Sequence, residues 1–470
     1  MTRPLTLGPD RDAALEHAAA LVARAWREFD QAREVEALPT SSLLTVLNEP
    51  LPQEPNDVIA SLDTAAEVLD TSLSQARPRY LAYIGSSGLE VGALADLLAH
   101  SYDINLALDA RAASHLDRQA LAWLAEFLGY PAGGGSFTSG GTISNITALA
   151  VARERAIPGS RAAGLSGQRV RVYCSREAHY SVTRAAELLG IGRDNVYGVD
   201  IDELRRMDAA DLSRQIDEDL AGGITPIAVI ATGGTTLTGA VDPLDAIADV
   251  CEPRGVWLHV DGAYGLPAAA SRTSGFRFAG LDRVDSLTID AHKWLFVPKA
   301  CSAILVRRTA DLAATFAHDE AYIPHEQETL NAVDITLEYS RPLRALKMWL
   351  AFRVHGAEAF REAIDRNIQQ AHLLYALAGA DPEFETRAHP PQLSIVPIRH
   401  VRPECPDRDD HNAALCRAIQ DDGRVYLSPA VIDGQIWLRP CFTNFRTTEE
   451  DVRITLEVAA ELGRGLCPMH

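Results

Sequence analysis

A chain of 470 residues with 47% hydrophobic and 23% charged side chains can build a sizeable core, in about three domain-sized units or two and an arm. Its formal net charge of −20 leaves no basic surplus to neutralise phosphates, which argues against nucleic acid or an anionic membrane as partner. Seven cysteines are scattered from Cys174 to Cys467 without a CxxC pair, a pattern of free thiols in a reducing compartment. The opening MTRPLTLGPDRDAALEH lacks the basic-then-apolar layout of a signal peptide, and no apolar run is long enough to span a bilayer. A cytoplasmic location is therefore expected.

The first predicted element is a helix over 12–33, followed by the Pro-rich link LNEPLPQEPND and a second helical stretch near 57–75. This segment, 1–76, cannot bury its apolar stripe alone and should pack on another domain or subunit. From 77 to 342 short β-rich runs (RVRVYC, PIAVIAT, VWLHVD, DSLTI, CSAILV) alternate with helical stretches such as 178–190 and 243–252. Such alternation implies an α/β domain with a mostly parallel sheet covered on both faces, which binds ligands at the carboxyl ends of its strands. A long helical stretch after 343, then strand-like QLSIVPIRH, a helix near 410–420, RVYLSPAVI, QIWLRPC and a closing helix predict a small α+β domain over 343–470.

Chemistry concentrates in the middle domain. GGGSFTSGGTISNITALAVARERA (133–156) reads as a Gly/Ser/Thr-rich loop opening into a helix, whose unpaired N–H groups make an anion site. It lacks the GK[ST] of an NTPase loop, so a phosphate here would be a static anchor; an ordinary strand-to-helix turn capped by Thr142 or Ser144 is the plainer alternative. His179 follows a strand in REAHYSV, and Thr232 ends the next one. Asp261 ends VWLHV before the small Gly262 and Ala263, where a carboxylate could pair with a protonated pyridine nitrogen or simply form a turn. A metal site of His259, Asp261 and His292 is the weaker alternative, because no cysteine or glutamate cluster completes it. Lys293 then stands between two runs of buried-strand character, where a lysine is rarely found. Either DAHKW is a turn with Lys293 in water, or Lys293 is a nucleophile kept partly deprotonated by its surroundings. Anion anchor, ring-stacking histidine, pyridinium partner and amine are together the parts that hold pyridoxal phosphate.

These motifs resemble the group II pyridoxal-phosphate-dependent decarboxylases, the aromatic L-amino acid decarboxylase family. The resemblance runs from about Arg77 past Gly356, through ARPRYLAYI, FTSGGTISNITAL, REAHYSV, VIATGGTTLTGAVDPL, WLHVDGAYG, DAHKW and LRALKMW. It implies fold type I, the aspartate aminotransferase-like architecture with a seven-stranded sheet, and a homodimer with active sites between subunits. It implies that Lys293 bonds covalently to the cofactor beside His292, while Gly141, Thr142 and neighbouring N–H groups hold the phosphate. His179 stacks on the ring, Asp261 pairs with its nitrogen, and Thr232 and Ala263 line the site. Tyr322, in DLAATFAHDEAYIPHE, falls where the family carries a mobile tyrosine that protonates the product carbon.

The substrate side departs from the family pattern. Ile84-Gly85-Ser86, Asn105 and Ala107 stand where aromatic members carry bulky residues, and RAASHLDRQ (111–119) lacks two usual glutamates. Ile143 replaces a common acidic residue, and Asp290 a frequent asparagine. Ser340 occupies a position that helps separate phenolic from indolic substrates in plant relatives. The expected activity is decarboxylation of an L-amino acid, aromatic or else bulkier and more polar, to the amine. Two alternatives keep the cofactor: decarboxylation coupled to oxidative deamination, giving an aldehyde, and an aminotransferase using Arg439 for the α-carboxylate.

Overall fold

The computed structural model describes residues 5–35, 37–318, 331–403, 405 and 407–466. Its centre is a seven-stranded sheet of β1 (Gly134–Thr138), β2 (Val170–Ser175), β3 (Val196–Val199), β4 (Thr225–Thr232), β5 (Trp257–Asp261), β6 (Ser286–Ile289) and β7 (Ser302–Val306). The strand order is β1-β7-β6-β5-β4-β2-β3. Only β7 runs against its neighbours, pairing antiparallel with β1 and β6, while the other pairs are parallel. These central strands are buried along their length, and β5 and β6 bury polar His259, Ser286 and Thr288 among their apolar residues.

One predicted loop is largely a strand. Residues 134–138 pair with β7 as β1, so only Ser139 and Gly140 remain between it and the Gly141–Ala156 helix. The glycines that suggested a loop serve close approach: a Cβ on Gly135 would stand 2.2 Å from the Ile304 carbonyl oxygen. The helices near 178–190 and 243–252 form as Ser181–Leu188 and Leu244–Cys251.

A second, antiparallel sheet carries β8 (Phe384–Thr386), β9 (Ile398–His400), β10 (Ser428–Ile432) and β11 (Gln435–Arg439) in the order β10-β11-β9-β8, packed with the Arg408–Asp422 and Glu449–Leu466 helices. The helical stretch Ala345–Ala380 breaks at Gly356, whose φ of 72° favours glycine. Its residues Met348, Ala351, Phe360 and Ile364 belong to the large core, whereas Ala371, Leu374 and Ala378 belong to the small one. The chain also enters the small core near its beginning: Leu81 packs there, and its N–H donates to the Tyr426 carbonyl at 2.7 Å. The N-terminal helices are thinly covered. Arg11–Phe29 buries only Ala14, Val58–Asp70 buries nothing, and Leu15, Val22, Leu69 and Leu73 are exposed.

Five cysteines, Cys174, Cys251, Cys301, Cys416 and Cys441, are buried free thiols. Cys405 is disulfide-bonded, which corrects the reading of all seven as free. Among the described residues no helix is long and apolar enough to cross a membrane.

Candidate active site

The carboxyl ends of β4, β5 and β6 open into a cavity of about 340 Å³. Parallel pairing puts these ends level: Thr232 lies opposite Asp261, and Asp261 opposite Thr288. Sequence-predicted Gly141, Thr142, His179, Thr232, Asp261, Ala263, His292 and Lys293 all line it, joined by Tyr83, Asn145, Ser181, Tyr264 and Asp290. Residues as far apart as 83 and 293 thus share one wall. Ile84 lines the cavity too, and both it and Tyr83 hold φ at 52°. Left-handed backbone at an isoleucine is costly and concentrates at ligand sites.

Lys293 sits in the one-turn helix Ala291–Trp294 directly after β6 and is half-buried. Its Nζ lies 2.9 Å from Asp290 Oδ2. Burial works to lower the Lys293 pKa, but the Asp290 and Asp261 carboxylates outweigh it and hold the ammonium above its ordinary value. The expectation of a partly deprotonated amine is therefore corrected: the lysine is an ion-paired cation, and Asp290 is the base within reach. Asp290 is itself buried and accepts a short hydrogen bond from Ser302. His292 donates from Nδ1 to the Cys301 carbonyl at 2.8 Å, and burial lowers its pKa.

Asp261, also in the cavity wall, accepts from Asn145 Nδ2 at 2.9 Å. His179 is half-buried with Nδ1 2.9 Å from Ser181 Oγ; burial lowers its pKa against the pull of Asp261. Thr232 Oγ1 is buried with no hydrogen-bond partner, an orphaned hydroxyl in a polar wall. The Thr232 backbone N–H is held by Asp242 Oδ2 at 2.7 Å. Gly141 opens its helix so close to the opposite wall that a Cβ there would stand 3.0 Å from both Ala263 Cβ and Asp290 Oδ2.

The remaining predicted pocket residues lie elsewhere. Ser86 is buried and donates to the Val297 carbonyl at 3.0 Å. Asn105 accepts from the Ala107 and Arg341 N–H groups and reaches Ser340 Oγ at 3.4 Å, a cluster that does not line this cavity. Tyr322 falls outside the described residues. His259, offered for a metal, instead turns its two nitrogens to Ser286 and Asn145. Arg439, offered as a carboxylate ligand, is buried and spends Nη1 on the Thr236 carbonyl and Nη2 on Ser428 Oγ, outside the cavity wall.

The family model described as the pyridoxal-dependent decarboxylase conserved domain matches residues 40–399. The chain belongs to this family. As a pyridoxal-dependent decarboxylase, it is 34% identical over 439 residues to the aromatic-L-amino-acid decarboxylase of Bacillus atrophaeus, covering 90% of each chain. It is 32% identical over 432 residues to the L-2,4-diaminobutyrate decarboxylase of Rhizobium meliloti (strain 1021), covering 90% of this chain and 85% of the relative. The crystal structure of mouse CSAD superposes with a TM-score of 0.90 at 27% identity, covering 97% of this chain and 99% of that one. Oryza sativa TDC with PLP and tryptamine gives 0.92 at 24% identity over the full length of both, a likeness of fold. The decarboxylase is thus a fold type I enzyme that uses pyridoxal phosphate to decarboxylate an amino acid.

The cavity suits that cofactor. Its wall carries the complementary chemistry: the N–H groups of a helix start, a buried carboxylate and an amine. Sequence reasoning missed Asn145, Ser181 and Asp290's role as ion partner. Asn145 had a signal in the quoted SNITAL run: it lies four residues after Gly141, on the same helix face.

Proposed function

We propose that the cavity around Lys293 is where this decarboxylase converts an L-amino acid to its amine, and that Lys293 is the residue that bonds to the cofactor. The observation that carries the reading is that the Lys293 amine, the Gly141–Thr142 helix start and Asp261 line one cavity. Bound pyridoxal phosphate would supply an electrophilic carbonyl and a pyridine ring that withdraws electrons from the substrate Cα.

Each residue then has a task. Gly141 and Thr142 offer N–H groups and the positive end of a sixteen-residue helix to the phosphate. Asp261 would accept a hydrogen bond from the protonated ring nitrogen, and His179 would cover the ring face. Thr232 has a free hydroxyl for a cofactor or substrate oxygen. Lys293 must shed a proton to act as a nucleophile, and Asp290 at 2.9 Å can take it. Tyr322 is the proposed acid that protonates the substrate Cα after carbon dioxide leaves, and His292 shields the amine from one side. Tyr83 and Ile84 form an apolar wall for the substrate side chain, which favours an aromatic amino acid, as in the name of the B. atrophaeus relative. Ser86, Asn105, Ala107 and Ser340 would shape that pocket from behind the wall or from a neighbouring subunit.

The site is proposed to lie at a homodimer interface in the cytoplasm. Leu94, Leu97, Leu98 and Tyr102 are exposed along the Glu90–Tyr102 helix, and the N-terminal helices expose a further apolar set. Together they support an obligate partner surface. Borohydride reduction of the holoenzyme, followed by peptide mass analysis, should place the cofactor on Lys293; an adduct elsewhere, or none, overturns the reading. Incubation with aromatic amino acids should release carbon dioxide and amine in equal amounts, whereas aldehyde with peroxide would mark the oxidative alternative. Mixing Lys293→Ala and Tyr322→Phe chains should restore part of the activity if each site draws on two subunits.

A further inference from the structure

Asp261 is the terminus of a hydrogen-bond chain whose direction is fixed by chemistry at both ends. Trp257 Nε1 can only donate, and it reaches Ser286 Oγ at 3.0 Å. Ser286 Oγ lies 2.8 Å from His259 Nδ1, His259 Nε2 lies 3.1 Å from Asn145 Oδ1, and Asn145 Nδ2 donates to Asp261 Oδ2 at 2.9 Å. A flipped amide would set an oxygen against the carboxylate, so the Asn145 orientation is fixed. His259 must then carry its proton on Nε2 and accept the Ser286 hydroxyl at Nδ1; Thr288 Oγ1 at 3.3 Å can accept part of the same Nε2–H. Every proton along the chain points toward Asp261.

The second Asn145 amide proton goes to Ser181 Oγ at 3.0 Å, and the Ser181 hydroxyl turns to His179 Nδ1 at 2.9 Å. One amide therefore orients both the carboxylate and the histidine of the cofactor site. Asn145, His259 and Ser286 are buried, so water does not compete for these bonds. Burial also pushes the His259 pKa down to about 3, which keeps its ring neutral and the tautomer unmixed.

We infer that Asn145 is a positioning residue of the decarboxylase, holding the Asp261 carboxylate as the acceptor end of a one-way donor chain from Trp257 through Ser286 and His259. Donors aimed at a carboxylate favour its anionic form, so a proton shared between Asp261 and a ring nitrogen stays on the nitrogen. That is the protonation state in which the ring withdraws electrons most strongly. The inference rests on the proposed pairing of Asp261 with the ring nitrogen.

The test is the ring-nitrogen NMR shift of holoenzyme reconstituted with ring-¹⁵N pyridoxal phosphate at pH 7. Wild type should give the protonated value. Asn145→Ala should move it toward the unprotonated value, with kcat reduced about tenfold or more and KM within about threefold. His259→Gln, which keeps a donor and an acceptor, should retain the wild-type shift, whereas His259→Phe should move it as Asn145→Ala does. Asp261→Asn separates the two layers: a protonated nitrogen in that variant sinks the Asp261 pairing itself. Loss of protonation in Asp261→Asn, with unchanged shifts in Asn145→Ala, sinks the chain alone. If Asn145→Ala does not fold, equal shifts in His259→Gln and His259→Phe overturn the inference. In ¹⁵N-histidine-labelled apoprotein, a His259 proton on Nδ1 instead of Nε2 would overturn it as well.

Discussion

Among the described residues two histidines, His259 and His400, are fully buried, and they lead to opposite places. His259 in the large domain has both nitrogens engaged, and the hydrogen bonds beyond them run into the cavity at Asp261. His400 in the small domain lies with Nδ1 2.8 Å from His411 Nε2, while its Nε2 has no hydrogen-bond partner. It is wedged against the Phe384 ring and so near Gly463 that a Cβ there would stand 2.6 Å from its ring. Burial and then His411 push the His400 pKa down to about 4. A buried titratable ring is therefore not itself a mark of function. What distinguishes the two is where the polar chain ends: in a cavity with an amine and an anion cradle, or in packed side chains.

Substitutions can break or sharpen this contrast. The largest effect should come at the cavity. Lys293→Ala should reduce turnover to background and abolish the borohydride-stable adduct, while the melting temperature of the apoprotein falls, because the buried Asp290 carboxylate loses its cationic partner. A retained adduct would remove the lysine from the chemistry. Next comes the support behind the cavity. Asp242 accepts the backbone N–H groups of Met207 and Thr232, both at 2.7 Å, so Asp242→Ala strands two buried donors and should cost about 2–5 kcal/mol in denaturant unfolding. A change under 1 kcal/mol, about the size of one net hydrogen bond, would mean that those donors find water or another partner.

The small-domain histidine should show in acid stability. Its folded pKa lies below the unfolded value of about 6.5, so the unfolded chain binds the proton first. Its stabilising effect is present above pH 6.5 and is lost as the pH falls toward 4, by about 3 kcal/mol at most. His400→Phe should flatten unfolding free energy against pH in that window, and an unchanged slope would assign acid sensitivity elsewhere. The smallest effect belongs to Gly356, where a Cβ would meet nothing within 4 Å. Gly356→Ala should thus cost only the backbone term of its positive-φ extended conformation, about 1–3 kcal/mol by chemical denaturation. A much larger loss would show that the two halves of the helix are coupled through this joint.

Much of this was legible in the chain, for identifiable reasons. Short β-rich runs between helical stretches mark β4, β5 and β6, β4 as a largely apolar run, so the residues at their carboxyl ends could be read with them. Misreading β1 as a loop has an equally clear cause: Gly135 is there because the neighbouring strand comes close and Gly134 because the Thr309 side chain does, yet glycine is also the residue of loops. The charge on Lys293 could not be read, because the desolvation that lowers its pKa and the carboxylates that raise it both depend on distances. The disulfide at Cys405 was hidden for the same reason, since spacing does not reveal pairing.

The order of β-rich and helical runs, the helix start at Gly141 and the strand-end positions of Asp261 and Lys293 were set by local pattern alone. Backbone propensity and apolar periodicity act over a few residues, and those features need nothing further. Folding decided that Asn145, His259 and Ser286, spread over more than a hundred residues, point their protons in one direction at one carboxylate. Hydrogen bonds depend on angstroms and angles, and only the packed sheet brings those atoms within reach.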